Sequence, residues 1–146
     1  MVTEKTKSNF LLLVEDSDDD AYFFERTLQK SGIRCAVRRA TNGAEAIELL
    51  QTIFTSEPGA LPLIMFLDLK MPIVNGFEVL DWLQHQTFAN QVHVVVLSGS
   101  EHQSDKDRAA QSGAKEYLVK PIRVSDLNRF LKDVCPASSP EIGARV

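Results

Sequence analysis

Four apolar runs in this chain each hand over, at the C-terminal end, to a polar group. Phe10-Leu11-Leu12-Leu13-Val14 runs into Glu15-Asp16, residues 61–67 into Asp68, residues 92–97 into Ser98-Gly99, and Tyr117-Leu118-Val119 into Lys120-Pro121. Apolar runs of this kind suit strands covered on both faces. Helical patterns separate them, which implies parallel strands joined by right-handed crossovers. In a parallel sheet the C-terminal strand ends share one edge, where open α/β folds hold their ligands. Glu15, Asp16, Asp68, Ser98 and Lys120 are thereby expected to meet. That inventory suits a divalent metal and a phosphoryl group.

The intervening segments carry helical spacing. Ala21, Phe24 and Leu28 form a first stripe that stops near Ser31-Gly32. Ile33, Cys35 and Val37 then alternate with Arg34, Ala36 and Arg38, the period of a half-exposed edge strand. Asn42-Gly43 opens a second helix with Ala46, Leu49, Leu50 and Ile53 on one side, and residues 55–60, with Pro58-Gly59, read as a loop. Phe77, Leu80 and Leu83, with Trp82 beside them, mark a third helix. Residues 102–112 offer only Ala109 and Ala110 as obvious apolar residues, so this fourth helix should be the least firmly anchored. Gly113 fits its stop. Leu127, Phe130, Leu131 and Val134 mark a fifth helix, begun at Val124 or Ser125 and ended by Pro136. The chain divides into an N-terminal extension (residues 1–8), one domain (residues 9–135) and a Pro-containing tail (residues 136–146) expected to be flexible.

The bulk numbers exclude several classes. A chain of 146 residues suffices for one independent core. A net charge of -4 and a pI near 5.4 argue against a nucleic-acid surface, which needs clustered Lys and Arg. Cys35 and Cys135 have no metal-ligand spacing and read as thiols in a reducing compartment. No apolar stretch approaches membrane-spanning length, so a cytoplasmic protein without a membrane partner is expected.

Each polar group has an ordinary alternative. Asp18-Asp19-Asp20 suits the first turn of a helix, whose dipole favours anions, and is assigned to capping and solubility. Glu15-Asp16 differs because a strand end aims it at the edge where Asp68 emerges. Three adjacent carboxylates repel one another, and oxygen-only ligands favour Mg²⁺, which keeps positions for water and phosphate oxygens. A carboxylate such as Asp68 can act as a nucleophile toward phosphorus, provided charge around the phosphoryl group is neutralised. Lys120 can supply positive charge and Ser98 a hydroxyl. A cis Lys120-Pro121 bond would fix the turn that points the lysine inward.

Together, Glu15-Asp16, Asp68-Leu69-Lys70-Met71-Pro72 with Gly76, Ser98-Gly99 and Lys120-Pro121 resemble the signature set of two-component response-regulator receiver domains, over about residues 10–134. The resemblance implies a flavodoxin-like (βα)5 fold with strand order 2-1-3-4-5. It implies that Asp68 accepts a phosphoryl group from a sensor histidine kinase or phosphotransfer protein. Glu15 and Asp16 would hold Mg²⁺ directly or through water, with Asp68 and the backbone carbonyl of Lys70 completing the protein's share. Ser98 and Tyr117 would act as switch residues and Lys120 would pair with the phosphoryl group. Glu15 stands where Asp is common, and its longer reach suits a water-bridged ligand. Ser98 replaces the frequent Thr. Lys70 and Ser100 occupy positions that tune dephosphorylation in the family.

Output would pass through the fourth helix, fifth strand and fifth helix, to a downstream protein target or a homodimer partner. The absence of an output domain resembles single-domain receivers, including those paired with bacterial phytochromes. A haloacid-dehalogenase-type phosphatase also uses an aspartate at a strand end, but its second Asp two residues later is Lys70 here. A constitutive docking module would not need the full acid, hydroxyl and lysine set. The chain is therefore expected to be a switch that catalyses only its own phosphotransfer and dephosphorylation.

Overall fold

The computed structural model describes residues 10–133 and Cys135. The extension at residues 1–8, the tail at residues 136–146 and the expected contact of Val134 lie outside the described residues. Five strands alternate with five helices: β1 (Phe10–Val14), α1 (Asp18–Ser31), β2 (Ala36–Ala40), α2 (Gly43–Ser56), β3 (Ile64–Asp68), α3 (Gly76–Gln84), β4 (His93–Ser98), α4 (Gln103–Gln111), β5 (Glu116–Val119) and α5 (Val124–Leu131). The strands are parallel in the order β2-β1-β3-β4-β5. This is the flavodoxin-like arrangement expected from the sequence.

Period-two alternation divides each central strand between two cores. Leu12, Val14, Met65, Leu67, Val94 and Val96 face α2 and α3, which contribute Ala46, Leu50, Val79, Leu80 and Leu83. Leu11, Leu13, Ile64, Phe66, Val95 and Leu97 face α1 and α5, which contribute Phe24, Leu28, Leu127 and Leu131. Phe24 and Phe66 join helix to sheet with ring centroids 4.9 Å apart in a tilted pair. Side-chain caps begin three of the helices: Ser17, Asn42 and Asn75 each accept a backbone N–H of the first turn, and Glu78 returns the bond to Asn75. Gly32, at φ 80°, ends α1 in the left-handed region that a glycine adopts without a Cβ penalty.

Several boundaries differ from expectation. The second strand is Ala36–Ala40 rather than residues 33–37. Its ladder opens at Phe10 opposite Ala36. Ile33, Cys35 and Val37 pack against the α1/α5 core, so their alternation records which way the side chains face, and only part of the segment pairs. Helix α2 continues to Ser56, and a 3-10 turn occupies Pro58–Ala60, where a loop was expected. Helix α5 stops at Leu131 rather than near Pro136.

Candidate functional site

The ladder registers bring the polar strand ends to one edge. Val14 lies opposite Leu67, Asp68 opposite Leu97, and Ser98 opposite Val119, so the residues after them emerge side by side. Glu15, Asp16, Asp68, Lys70 and Lys120 line a cleft of about 270 Å³ with Ser17, Asp20, Gly99 and Ser100. One carboxylate oxygen from each of Glu15, Asp16 and Asp68 lies within 4.8 Å of the other two. Gly76 holds the floor of this edge: its N–H donates to the Leu69 carbonyl at 2.9 Å, and a Cβ there would run into the Asp68 carbonyl and the Leu69 Cα. Only glycine allows that approach.

The electrostatics are set by burial. Asp68 is 6% exposed, and burial, against the opposing Lys120 charge, pushes its carboxyl up to about 7 from 3.8. Glu15 and Asp16 add to the rise, while the Lys70 N–H donates to the Asp68 carboxylate and lowers it. Lys120 Nζ lies 2.8 Å from Glu15 Oε1, 2.7 Å from Asp20 Oδ2 and 3.5 Å from Asp68 Oδ1. Burial works against its charge, but the hydrogen bonds to Asp20 and Glu15 outweigh that and hold the ammonium protonated well above its usual range. Glu15 is almost fully buried and spends both oxygens: one on Lys120, the other on the Ser17 N–H at 3.1 Å. Asp16, by contrast, is exposed. The Lys120-Pro121 peptide is cis.

Ser98 is fully buried, and its hydroxyl oxygen accepts from the Ser100 N–H at 3.0 Å. Ser100 continues the chain of bonds by donating to Asp105 at 2.6 Å in the first turn of α4. Tyr117, on edge strand β5, donates its hydroxyl to the Ser100 carbonyl at 3.0 Å. It is half-buried and packs against the α2/α3 core rather than standing in water.

Two residues at this edge escaped the sequence reading. Asp20 was assigned with Asp18 and Asp19 to capping and solubility, yet it makes the shortest contact to Lys120. Arg39 donates from Nε to the Glu15 carbonyl at 2.9 Å and from Nη1 to Asp18 at 2.9 Å, bracing the β1 end from β2. The helical spacing of Asp20 puts it on the strand-end side of α1, which was a usable signal. Arg39 had none, because its position depends on where β2 begins.

Known proteins place this arrangement. The model of the response regulator receiver domain family matches residues 11–132. The chain is 29% identical to the probable methanogenesis regulatory protein FilR2 of Methanothrix harundinacea, over 91% of this chain and 85% of that protein. Among solved structures it resembles the bacteriophytochrome response regulator AtBRR, with a TM-score of 0.74 and 29% identity over 87% of this chain and 92% of the other. It also resembles the Mn²⁺-bound form of response regulator Rcp1, with a TM-score of 0.68 and 28% identity over 86% and 91%. Receiver domains are signalling switches that act through phosphorylation. With the family model spanning the sheet and all five helices, and the acids and lysine gathered at the expected edge, this chain belongs to the response-regulator receiver family.

Proposed function

We propose that the chain is a response-regulator receiver in which Asp68 accepts a phosphoryl group from a sensor histidine kinase or phosphotransfer protein. The observation that carries this reading is the placement of Asp68 on the cleft, with two further carboxylates and the Lys120 ammonium around it. An Asp68 oxygen attacks phosphorus and the P–N bond to the donor imidazole breaks. The electron pair leaves with the imidazole nitrogen, which takes up a proton. Attack requires the ionised carboxylate, so the proton affinity of Asp68, elevated even with Lys120 beside it, restrains reaction until further positive charge is close.

The donor set fits Mg²⁺: three carboxylates with oxygens within 4.8 Å, and no nitrogen or sulfur among them. Asp16, Asp68 and the Lys70 carbonyl would hold it. Glu15 would act through water, since Lys120 and the Ser17 N–H already occupy its oxygens. Bound Mg²⁺ would supply charge neutralisation for the phosphoryl oxygens. Lys120 then pairs with the phosphoryl group, Ser98 turns its hydroxyl toward it, and Tyr117 responds through Ser100. The surface of α4, β5 and α5 is the output face, toward a downstream target or a second copy. The domain proper spans residues 9–135 and works in the cytoplasm. No helix among the described residues is long and apolar enough to cross a membrane.

Incubation with acetyl phosphate and Mg²⁺ should label the protein at one site, and Asp68→Asn should abolish the label. Labelling that persists unchanged in the variant would overturn the assignment.

A further inference from the structure

The site holds a carboxylate that the phosphoacceptor chemistry does not call for. Lys120 Nζ is 2.7 Å from Asp20 and 2.8 Å from Glu15, but 3.5 Å from Asp68, beyond a good hydrogen bond. An ammonium has three donors, and two are committed away from the acceptor. Asp20 and Glu15 form the wall between the cleft and a neighbouring hollow of about 430 Å³ bounded by Phe23, Phe24, Pro121 and Ile122, whereas Asp68 lines only the cleft. Lys120 is therefore drawn to the wall. The first turn of α1 fixes this contact, because Ser17 Oγ accepts the Asp20 N–H at 3.2 Å.

From this geometry we infer that Asp20 is a positioning residue that competes with the phosphoryl group on Asp68 for the Lys120 ammonium, and so weakens the phosphorylated state. The inference rests on the phosphoacceptor reading above. A phosphoryl group brings roughly −1.5 to −2 charges to Asp68 and pulls Lys120 Nζ, now 3.5 Å away, off the wall, so that one wall contact is stretched even though a third donor is free. Glu15 is not the contact released, since its carboxylate is 3% exposed and bulk water has little access to take the ammonium's place. Asp20 is 47% exposed and water can solvate it once it is freed. The contact that yields is thus Lys120 to Asp20, and its loss is subtracted from every Lys120–phosphoryl pair that forms.

Beryllofluoride, a noncovalent phosphoryl mimic, tests this when its bound ¹⁹F resonances are titrated at saturating Mg²⁺. Wild type should bind and Asp68→Asn should not. Asp20→Asn should bind roughly three- to fivefold more tightly than wild type, the upper part of the span expected for releasing one partly exposed ion pair. Asp20→Glu, which keeps the charge, should return to within about twofold of wild type, and Asp19→Asn, which removes a charge from the same turn, should stay within about twofold. Binding by Asp20→Asn that is equal to or weaker than wild type overturns the inference, as does an Asp19→Asn effect as large as that of Asp20→Asn. If wild type itself does not bind, the phosphoacceptor reading falls and the inference falls with it.

Discussion

Asp68 carries a cost that its position makes unavoidable. A strand end buried among apolar neighbours takes the carboxylate out of water, and burial raises its proton affinity to about 7 from 3.8. Below 3.8 the group is protonated in both the folded and the unfolded chain. Between 3.8 and about 7 the unfolded chain releases the proton while the folded protein keeps it, so stability falls as pH rises through that window. Asp68→Asn removes the slope. In EDTA, urea unfolding should find the variant more stable than wild type by about 1–2 kcal/mol at about pH 8, with the gap closing toward about pH 4. A gap of equal size at both pH values would place the effect elsewhere than in this carboxyl. The fold thus holds Asp68, the proposed acceptor, under restraint, and the restraint comes from the same burial that defines the site.

At the scale of elements, α4 is joined to the body differently from its neighbours. Ala109 is its one buried residue, and polar or cation–π contacts hold the rest: Ser100 to Asp105, Gln84 to the Gln111 carbonyl at 3.3 Å, and Arg108 at 3.9 Å over the Phe77 ring. Ser100 is the hinge of this set, since its hydroxyl donates to Asp105 while accepting the His102 N–H at 3.2 Å. Ser100→Ala should lower the hydrogen-exchange protection of α4 amides by about 1 kcal/mol, with a smaller change in the sheet. Protection lost evenly across the sheet would show instead that α4 opens only with the whole domain. The sparse apolar content of α4 was legible in residues 102–112, as were the strand ends and the acids they carry. The start of β2 was not, because a partly exposed edge strand can continue its alternation through residues that have no ladder partner. Asp20 was misread for a related reason: three consecutive acids at a helix start satisfy the dipole rule whichever of them reaches across to a lysine a hundred positions away.

For the molecule as a whole, the order β2-β1-β3-β4-β5 decides how the site communicates with stability. The three acids stand at the ends of β1 and β3, neighbouring strands inside the sheet, both buried on both faces. The site cannot be dismantled without opening the two cores that these strands separate, whereas α4 places a single buried residue, Ala109, in one of them. A cation held by Asp16 and Asp68 would therefore stabilise the globally folded state, by about 1.4 kcal/mol at a free concentration ten times its dissociation constant. Local opening of α4 leaves the acids in place and should gain nothing. Adding Mg²⁺ should accordingly raise the melting temperature and the exchange protection of β1, β3 and β4 together, leave α4 amides unchanged, and do neither in Asp68→Asn. If α4 protection rises in step with the sheet, metal binding alone already tightens the proposed output face, and phosphorylation would not be needed to order it.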